Sequence, residues 1–245
     1  MVVVSKPDGT VRICVDLTKL NENVRREKHQ LPSVDHTLGQ LKNANVFTKL
    51  DANSGFWQIP LAEESSKLTT FITPFGRFCF RRLPFGINSA PEHFQRRMSN
   101  ILDDLPGVLC RTDDVLISGE SQEQHDERLE TVLKKLEEHG VTLNFRKCEF
   151  SKPTLTFLGH VVGRNGISAD PEKIKAVVEM ETPKNVSEVR RLMGMSNQLA
   201  KFLPNLAEIT QPIRELLITK NNWYWGEDQS KAFKKIKDML HLHLY

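Results

Sequence analysis

The chain has 245 residues, which is enough for one large domain or two modest ones. It carries 34 Lys and Arg against 31 Asp and Glu, a net charge of +3, so any nucleic-acid surface must come from local clusters of basic residues. Its four cysteines are widely spaced and include no CxxC pair, which argues against a zinc site or a disulfide framework and favours a reducing, intracellular location. No apolar run is long enough to span a bilayer, so we expect no membrane association.

The first part of the chain alternates predicted strands and helices. A hairpin turning at Pro7-Asp8-Gly9 is followed by a helix that Ser33 can cap, and then by a strand ending near Asp51. A second hairpin is predicted to turn at Pro74-Phe75-Gly76. The residues from Ser89 to Glu92 have the form of a capping box, which predicts the start of another helix.

A later helix is predicted between Ser121-x-x-Gln124, which can cap it, and Gly140, which ends it. Its inward face is expected to consist of Leu129, Val132, Leu133 and Leu136. Strands are predicted through VTLNF and LTFLGHVV. From about Asp170 the pattern indicates helices only, including one through Ile209 to Leu217, and the turn residues of GRNGISA mark the best boundary. The first two thirds are therefore predicted to be mixed α+β and the last third helical.

Two adjacent acids, Asp113 and Asp114, stand inside the apolar run GVLCRTDDVLIS. Carboxylates side by side in such a run repel each other and lose hydration. A third acid, Asp51, ends an earlier apolar strand, and acids at strand ends suit Mg²⁺, which prefers carboxylate oxygens. Two such ions about 4 Å apart can hold the attacking and leaving oxygens of an in-line phosphoryl transfer. The alternative is that the acid pair forms an exposed turn between two strands.

Longer motifs occur in order and with the spacing found in reverse transcriptases, namely FTKLDANSGFWQIPL, TTFITPFGRFCFRRLPFGINSAPEHFQRRM, TDDVLISG, TLNFRKCEF and FLGHVV. The chain resembles the Pol polyprotein of gypsy-type LTR retrotransposons over nearly its whole length. The resemblance implies an α+β right-hand polymerase, with partial fingers and a ferredoxin-like antiparallel palm sheet carrying helices on one face in 1–163. It also implies a helical thumb in 164–218 and the start of a connection and RNase H-proximal region in 219–245.

The implied activity is RNA-directed DNA polymerisation, by two-metal nucleotidyl transfer from a dNTP to a primer 3′-OH on an RNA or DNA template. By position in the family motifs, Asp51, Asp113 and Asp114 would bind two Mg²⁺ ions, with Mn²⁺ as an alternative. Lys147 would protonate the pyrophosphate leaving group. The residues implied at the incoming nucleotide are Lys6, Arg12, Phe56, Phe85 and Gly86. The residues implied at the primer are Arg111, Phe157, Leu158, Gly159 and His160.

Several of these assignments have a structural alternative. Phe56 matches the aromatic steric gate, whose ring would collide with a ribose 2′-OH, but it could also be an ordinary core residue. Phe157 and Leu158 are typical core residues in any fold. Lys147 and Arg12 could be exposed charges with no catalytic or binding role.

Two features depart from the family. Arg111 stands where the family usually has a tyrosine, and it could pair with Asp113 or Asp114 and compete with the metal. Measured against the family, the chain also begins partway through the fingers and stops before the RNase H acids. The second hypothesis is therefore a truncated, catalytically impaired relic that retains only nucleic-acid binding.

The expected partners are an RNA/DNA template-primer and dNTPs, together with RNase H and integrase regions of a Pol polyprotein in the full-length protein. Basic pairs such as Arg96-Arg97 and Arg190-Arg191 could contact phosphates without sequence preference. The expected location is the cytoplasm, in a virus-like particle, with the nucleus as the alternative. The sequence makes no prediction about the oligomeric state.

Overall fold

The computed structural model describes residues 2–5, 11–26, 39, 41, 43–218 and 223–242. The chain divides into two compact units, of which the first comprises Met1–Phe157 and Gly163–Gly166 and the second comprises Leu158–Val162 and Ile167–Tyr245. Within the described ranges, no helix is long and apolar enough to cross a membrane. The predictions for the turn at Pro7-Asp8-Gly9, the cap at Ser33, Lys6 and the side chain of Arg12 lie outside the described residues.

The first unit contains short strands and helices that alternate along the chain. Its strands are β1 (Val2–Ser5), β2 (Val11–Cys14), β3 (Val46–Asp51), β4 (Phe71–Thr73), β5 (Gly76–Phe78), β6 (Val108–Arg111), β7 (Asp114–Gly119), β8 (Glu149–Lys152) and β9 (Thr154–Phe157). Its helices are α1 (Thr18–Asn21), α2 (Glu63–Leu68), α3 (Ala90–Leu102) and α4 (Gln122–Glu138), with 3₁₀ turns at Gly55–Gln58 and Phe145–Lys147.

A four-stranded antiparallel sheet in the order β6-β7-β3-β8 forms the centre of the first unit. Leu50, Val115 and Ile117 of its two central strands are fully buried in one apolar cluster. That cluster also contains Phe94 and Met98 of α3, as well as residues of α4. Each such side chain contributes about 1.5–3 kcal/mol on burial, so the sheet and the two helices form one core. The predicted strand ending at Asp51 and the predicted acidic hairpin are confirmed.

The second unit is mainly helical. It contains most of β10 (His160–Gly163) and β11 (Gly166–Ala169), followed by α5 (Pro171–Val178), α6 (Val186–Gln198), a 3₁₀ turn (Ala200–Phe202), α7 (Leu206–Ile209), α8 (Gln211–Glu215) and α9 (Glu227–His241). Asp170 accepts a hydrogen bond from the backbone of Glu172, which confirms the predicted start of α5. The core of this unit combines residues of α5, α6 and α9, among them Ile174, Leu192 and Ile236.

Four local predictions were wrong. The helix predicted to start at Ser89 does begin there, as α3, but Ser89 makes no side-chain cap bond, because its ψ of 1° is not the extended conformation that a capping hydroxyl requires. Leu133 of α4 is 37% exposed and lies off the inward face. VTLNF forms only a single bridge at Leu143 instead of a strand. The helix predicted through Ile209 to Leu217 is two short helices, α7 and α8, with Pro212 in the first turn of the second.

A fifth prediction was wrong within the segment LTFLGHVV, which is two strands instead of one. Leu158 and Gly159 both have positive φ, at 51° and 75°, and end β9 before β10 begins. A leucine in this left-handed region is uncommon, so the sequence carries no strong turn signal here beyond the glycine.

Candidate active site

The structure brings the three predicted acids to one edge of the central sheet. Asp51 ends β3 and lies opposite Asp114, the first residue of β7, as its Cα partner. Asp113 belongs to the two-residue turn that joins β6 to β7, since Arg111 pairs directly with Asp114. The backbone N–H of Ala52 donates to the carbonyl of Asp113 over 2.8 Å, which ties the two strand ends together. Of the acid pair, only Asp113 lies in the turn, and Asp114 begins β7. Both acids are half-buried and lie beside a third acid, so they do not form the exposed turn that the alternative predicted.

The turn that carries Asp113 is held by Gln95, a fully buried residue of α3 that sequence reasoning missed. The Gln95 amide accepts a hydrogen bond from the N–H of Thr112 over 2.7 Å and donates to the carbonyl of Cys110 over 3.0 Å. Thr112 has a φ of +50°, a left-handed conformation that is rare for a β-branched residue. The sequence signal for Gln95 is a polar residue on the apolar face of a helix. Its amide also donates to the hydroxyl of Ser99, four residues later.

Asp113 is packed closely on one side. Its Oδ1 atom is buried and has no hydrogen-bond partner among the described residues. A Cβ added at Gly55 would collide with this oxygen and would lie 2.7 Å from the ring of Phe94. Burial raises the pKa of Asp113, and the charges of Asp51 and Asp114 raise it further. A buried, unpartnered carboxylate oxygen is a ligand that a hard divalent cation would satisfy.

Two lysines contact the other two acids. The Lys147 ammonium lies 3.5 Å from Oδ2 of Asp51, and the Lys49 ammonium lies 3.9 Å from Oδ1 of Asp114. Burial raises the pKa of Asp114, and the charge of Lys49 opposes that rise. Within the described part of the chain, no three His, Cys, Asp or Glu side chains already form a converged metal cluster. Lys49 was missed in the sequence, although it stands two residues before Asp51.

Lys147 is connected to Asp51 through the backbone as well as through its side chain. The N–H of Asn144 donates to the carbonyl of Asp51 over 2.8 Å. The 3₁₀ turn Phe145–Lys147 follows at once, and the N–H of Lys147 donates to the carbonyl of Asn144. The side chain of Lys147 is 65% exposed, and its ammonium group reaches Asp51.

Two of the predicted nucleotide residues, Phe56 and Phe85, pack against each other. The Phe56 ring lies 5.1 Å from that of Phe85 and 5.8 Å from that of Phe94, between centroids, so the steric-gate candidate is also partly core. Gly86 has a φ of +97°, which favours glycine. Asn21, which sequence reasoning missed, donates to the carbonyl of Gly86 over 2.7 Å and accepts from the N–H of Asn88.

The predicted primer residues differ in their surroundings. Phe157 is fully buried, as a core residue would be, and Leu158 and Gly159 form the turn before β10. Within the second unit, the Nδ1–H of His160 donates to the carbonyl of Leu158 over 3.1 Å, and the ring lies 5.8 Å from that of Phe202. Arg111 is half-buried at the end of β6.

Comparison with known proteins identifies the family. The family model described as reverse transcriptase (RNA-dependent DNA polymerase) matches residues 4–162. The transposon Tf2-3 polyprotein of Schizosaccharomyces pombe is 33% identical over 239 residues, which is 97% of this chain and 18% of the relative. The retrovirus-related Pol polyprotein from transposon 297 of Drosophila melanogaster is 35% identical over 246 residues, 98% of this chain and 23% of the relative. The chain thus spans about a fifth of the length of these relatives.

Solved structures give the same result. The foamy viral protease-reverse transcriptase dRH in complex with double-stranded DNA matches with a TM-score of 0.89 and 28% identity, over 98% of this chain and 43% of that one. The foamy viral protease-reverse transcriptase in complex with an RNA/DNA hybrid matches with a TM-score of 0.88 and 26% identity, over 98% of this chain and 33% of that one. The predicted polymerase fold class is therefore confirmed, and the chain belongs to the reverse transcriptase family of RNA-dependent DNA polymerases.

Proposed function

We propose that the chain is the polymerase part of a retrotransposon Pol protein and transfers nucleotides from dNTPs to a primer 3′-OH on an RNA or DNA template. In this proposal Asp51, Asp113 and Asp114 hold two Mg²⁺ ions, for which Mn²⁺ can substitute. The observation that carries the proposal is the meeting of Asp51 and Asp114 in the β3–β7 register beside the buried, unpartnered oxygen of Asp113. When bound, the ions would neutralise charge on the reacting phosphate and lower the pKa of the attacking hydroxyl.

We propose a specific role for each of three residues near the acids. Lys147, exposed and within 3.5 Å of Asp51, is proposed to donate a proton to the departing pyrophosphate. Phe56, braced by Phe85 and Phe94, is proposed to exclude a ribose 2′-OH, because a ring held on two sides cannot move away from the clash. Gly86, with its backbone fixed by Asn21, is proposed to lie beneath the nucleotide.

The proposed partners follow from the relatives. Foamy viral enzymes of matching fold were solved with double-stranded DNA and with an RNA/DNA hybrid, so we propose a template-primer duplex as the partner here. The relatives are several times longer than this chain, so we propose that it works within a longer Pol polyprotein, with RNase H and integrase regions. The first unit would supply the partial fingers and the palm, and the second the thumb and the start of a connection and RNase H-proximal region. We propose the cytoplasm as its location.

A second proposal is favoured by Arg111, which stands directly opposite Asp114 in the β6–β7 hairpin. An arginine so close to the acids could compete with a metal ion for them. In that case the protein would be a catalytically impaired relic that binds template and primer without extending them.

Primer extension on an RNA template with Mg²⁺ separates the two. The first proposal predicts extension by the wild type and loss of extension, by about 10²-fold or more, in Asp113→Asn. The matched control, Asp104→Asn, removes an acid that is paired with Lys135 and should extend like the wild type. Duplex binding without extension by the wild type, with extension restored in Arg111→Tyr, would favour the relic.

A further inference from the structure

The side-chain amide of Gln58 makes three hydrogen bonds to backbone groups. It is the last residue of the 3₁₀ turn Gly55–Gln58 and is half-buried. Its Nε2 group donates to the carbonyl of Asn53 over 2.8 Å and to the carbonyl of Thr142 over 2.9 Å. Its Oε1 atom accepts from the N–H of Thr142 over 2.8 Å. The side-chain amide therefore pairs with Thr142 as a neighbouring strand would.

The segments that Gln58 joins both lead to the acid site. Beyond the end of β3, the N–H of Asn53 donates to the carbonyl of Thr142 over 2.9 Å, and Ala52 forms a bridge with Leu143. The N–H of Asn144 then donates to the carbonyl of Asp51. This short ladder lies beyond the ends of the regular strands, so the Gln58 amide supplies the contacts that a further strand residue would otherwise make.

We propose that Gln58 is a positioning residue, which fixes Asp51 relative to the segment that carries Lys147. It holds Thr142 and Asn53, and these fix Asn144 and thereby the backbone of Asp51. The inference rests on the proposed function, because it assigns to Gln58 the alignment of a metal ligand and a proton donor. Gln58 itself touches no reacting atom.

The residue could instead be an ordinary loop cap that stabilises Thr142 alone. The two roles differ in which backbone N–H groups a substitution at Gln58 would expose to exchange. A cap affects the N–H of Thr142, whereas a positioning residue also affects the N–H of Asn144, which Gln58 does not contact. Amide hydrogen exchange measures both groups separately and requires no catalysis.

The test compares Gln58→Met, which keeps the side-chain length but removes the amide, with the control Gln122→Met. Gln122 lies in α4, and its amide donates to two side chains, at Oδ1 of Asp126 and Oγ of Ser151. In Gln58→Met we expect exchange at both Thr142 and Asn144 to accelerate about tenfold, since each loses protection worth about one hydrogen bond. Exchange in the core of α3 should not change in either variant.

A second readout is Mn²⁺ binding followed by electron paramagnetic resonance. We expect Gln58→Met to weaken Mn²⁺ binding about fivefold and to lower the maximal extension rate about tenfold, with the Kd for primer-template unchanged. Gln58→Asn, which keeps a polar amide but is one methylene shorter, should act in the same direction and serves if the Met variant does not fold. Both variants should melt within about 2 °C of the control if the role is local.

Acceleration at Thr142 without acceleration at Asn144 would overturn the inference, as would faster exchange throughout the first unit. Failure of the proposed function gives a different result. If Asp113→Asn binds Mn²⁺ and extends primers as the wild type does, the metal assignment is wrong. The amide exchange of Gln58→Met then still decides whether Gln58 controls the position of Asp51.

Discussion

Asp51 and Asp114 face each other across the two central strands of the sheet, as the last register pair between β3 and β7. Two carboxylates in this arrangement repel each other, and Asp113 adds a third. Lys147 contacts the first and Lys49 the second, while Oδ1 of Asp113 has no partner among the described residues. Of the three carboxylates, Asp113 is therefore the one whose ionised form is least stabilised by its surroundings.

Asp113→Asn should stabilise the protein at neutral pH. Because the pKa of Asp113 is raised above its ordinary 3.8, the native state binds this proton more tightly than the unfolded state does. The free energy of unfolding therefore falls as pH rises from about 3.8 through the native pKa, and the loss persists at pH 7. Asparagine cannot ionise, so we expect a Tm about 2–4 °C higher at pH 7 and a flatter dependence above pH 4.

Thermal unfolding from pH 4 to 8 in EDTA measures this effect. Asp104→Asn is the control, because the pKa of Asp104 is shifted in the opposite direction: a hydrogen bond from Lys135 lowers it. That variant should gain no stability at pH 7. An unchanged or lower Tm for Asp113→Asn at pH 7 would mean that the buried carboxylate is not strained.

Gly55→Ala should lower the stability of the protein by overpacking the space beside Asp113. The added methyl group meets Oδ1 of Asp113 and the ring of Phe94, which is 3% exposed and cannot move aside. We expect a loss of about 1–3 kcal/mol in the free energy of unfolding, from overpacking. Gly194→Ala is the matched control, since Gly194 lies in α6 with nothing within 4 Å of the added Cβ.

The control should raise the free energy of unfolding by about 0.5–1 kcal/mol, because alanine is the better helix residue. Denaturant unfolding of both variants gives the comparison. Equal stability of Gly55→Ala and the wild type would show that the space around Asp113 is larger than the structure indicates.

The strands that carry the three acids and the buried faces of two helices could be predicted from the sequence. Asp51 follows an apolar strand, and Asp113-Asp114 interrupts one, so both the strands and their acidic ends are visible in the pattern. The helix faces of α3 and α9 follow from the spacing of residues such as Phe94, Met98, Phe233 and Ile236, all of which are buried. These features depend on local periodicity, which a single sequence records.

The supporting polar residues could not be predicted, because their partners are distant in the chain. Gln58 bonds Thr142, 84 residues away, and Asn21 bonds Gly86, 65 residues away. Glutamine and asparagine carry no periodic signal, and the turn at Leu158 has a conformation that leucine seldom adopts. Such contacts depend on tertiary packing between distant segments, which local sequence patterns do not record.

Gln95→Leu should destabilise the acidic hairpin. The substitution preserves volume but leaves the N–H of Thr112 and the carbonyl of Cys110 without their partner in a half-buried turn. We expect a loss of about 2 kcal/mol in the free energy of unfolding, whereas the exposed control Gln211→Leu should stay within about 0.5 kcal/mol. Thr112→Gly should recover part of the loss, because glycine adopts the φ of +50° without strain.

Denaturant unfolding of the single and double variants measures the coupling between the two positions. If Thr112→Gly lowers the stability of Gln95→Leu further, the turn is not held against strain by Gln95.

Lys49→Met should change the pH dependence of the acid site. The Lys49 ammonium, 3.9 Å from Oδ1 of Asp114, opposes the rise in the pKa of Asp114 that burial causes. Removing that positive charge disfavours the ionised carboxylate, so the pKa of Asp114 should rise further. A carboxyl carbon NMR titration without metal should show this shift directly. The acidic limb of the primer-extension profile should move to higher pH, because more Asp114 is protonated at a given pH.

Lys67→Met provides the comparison, because Lys67 pairs with Glu63 on the exposed surface of α2, where solvent weakens the interaction. It should leave both the titration of Asp114 and the extension profile unchanged. If Lys49→Met leaves the Asp114 titration in place or moves it to lower pH, the lysine does not control this carboxylate. The rise in its pKa would then be limited by Lys147, whose charge also opposes it.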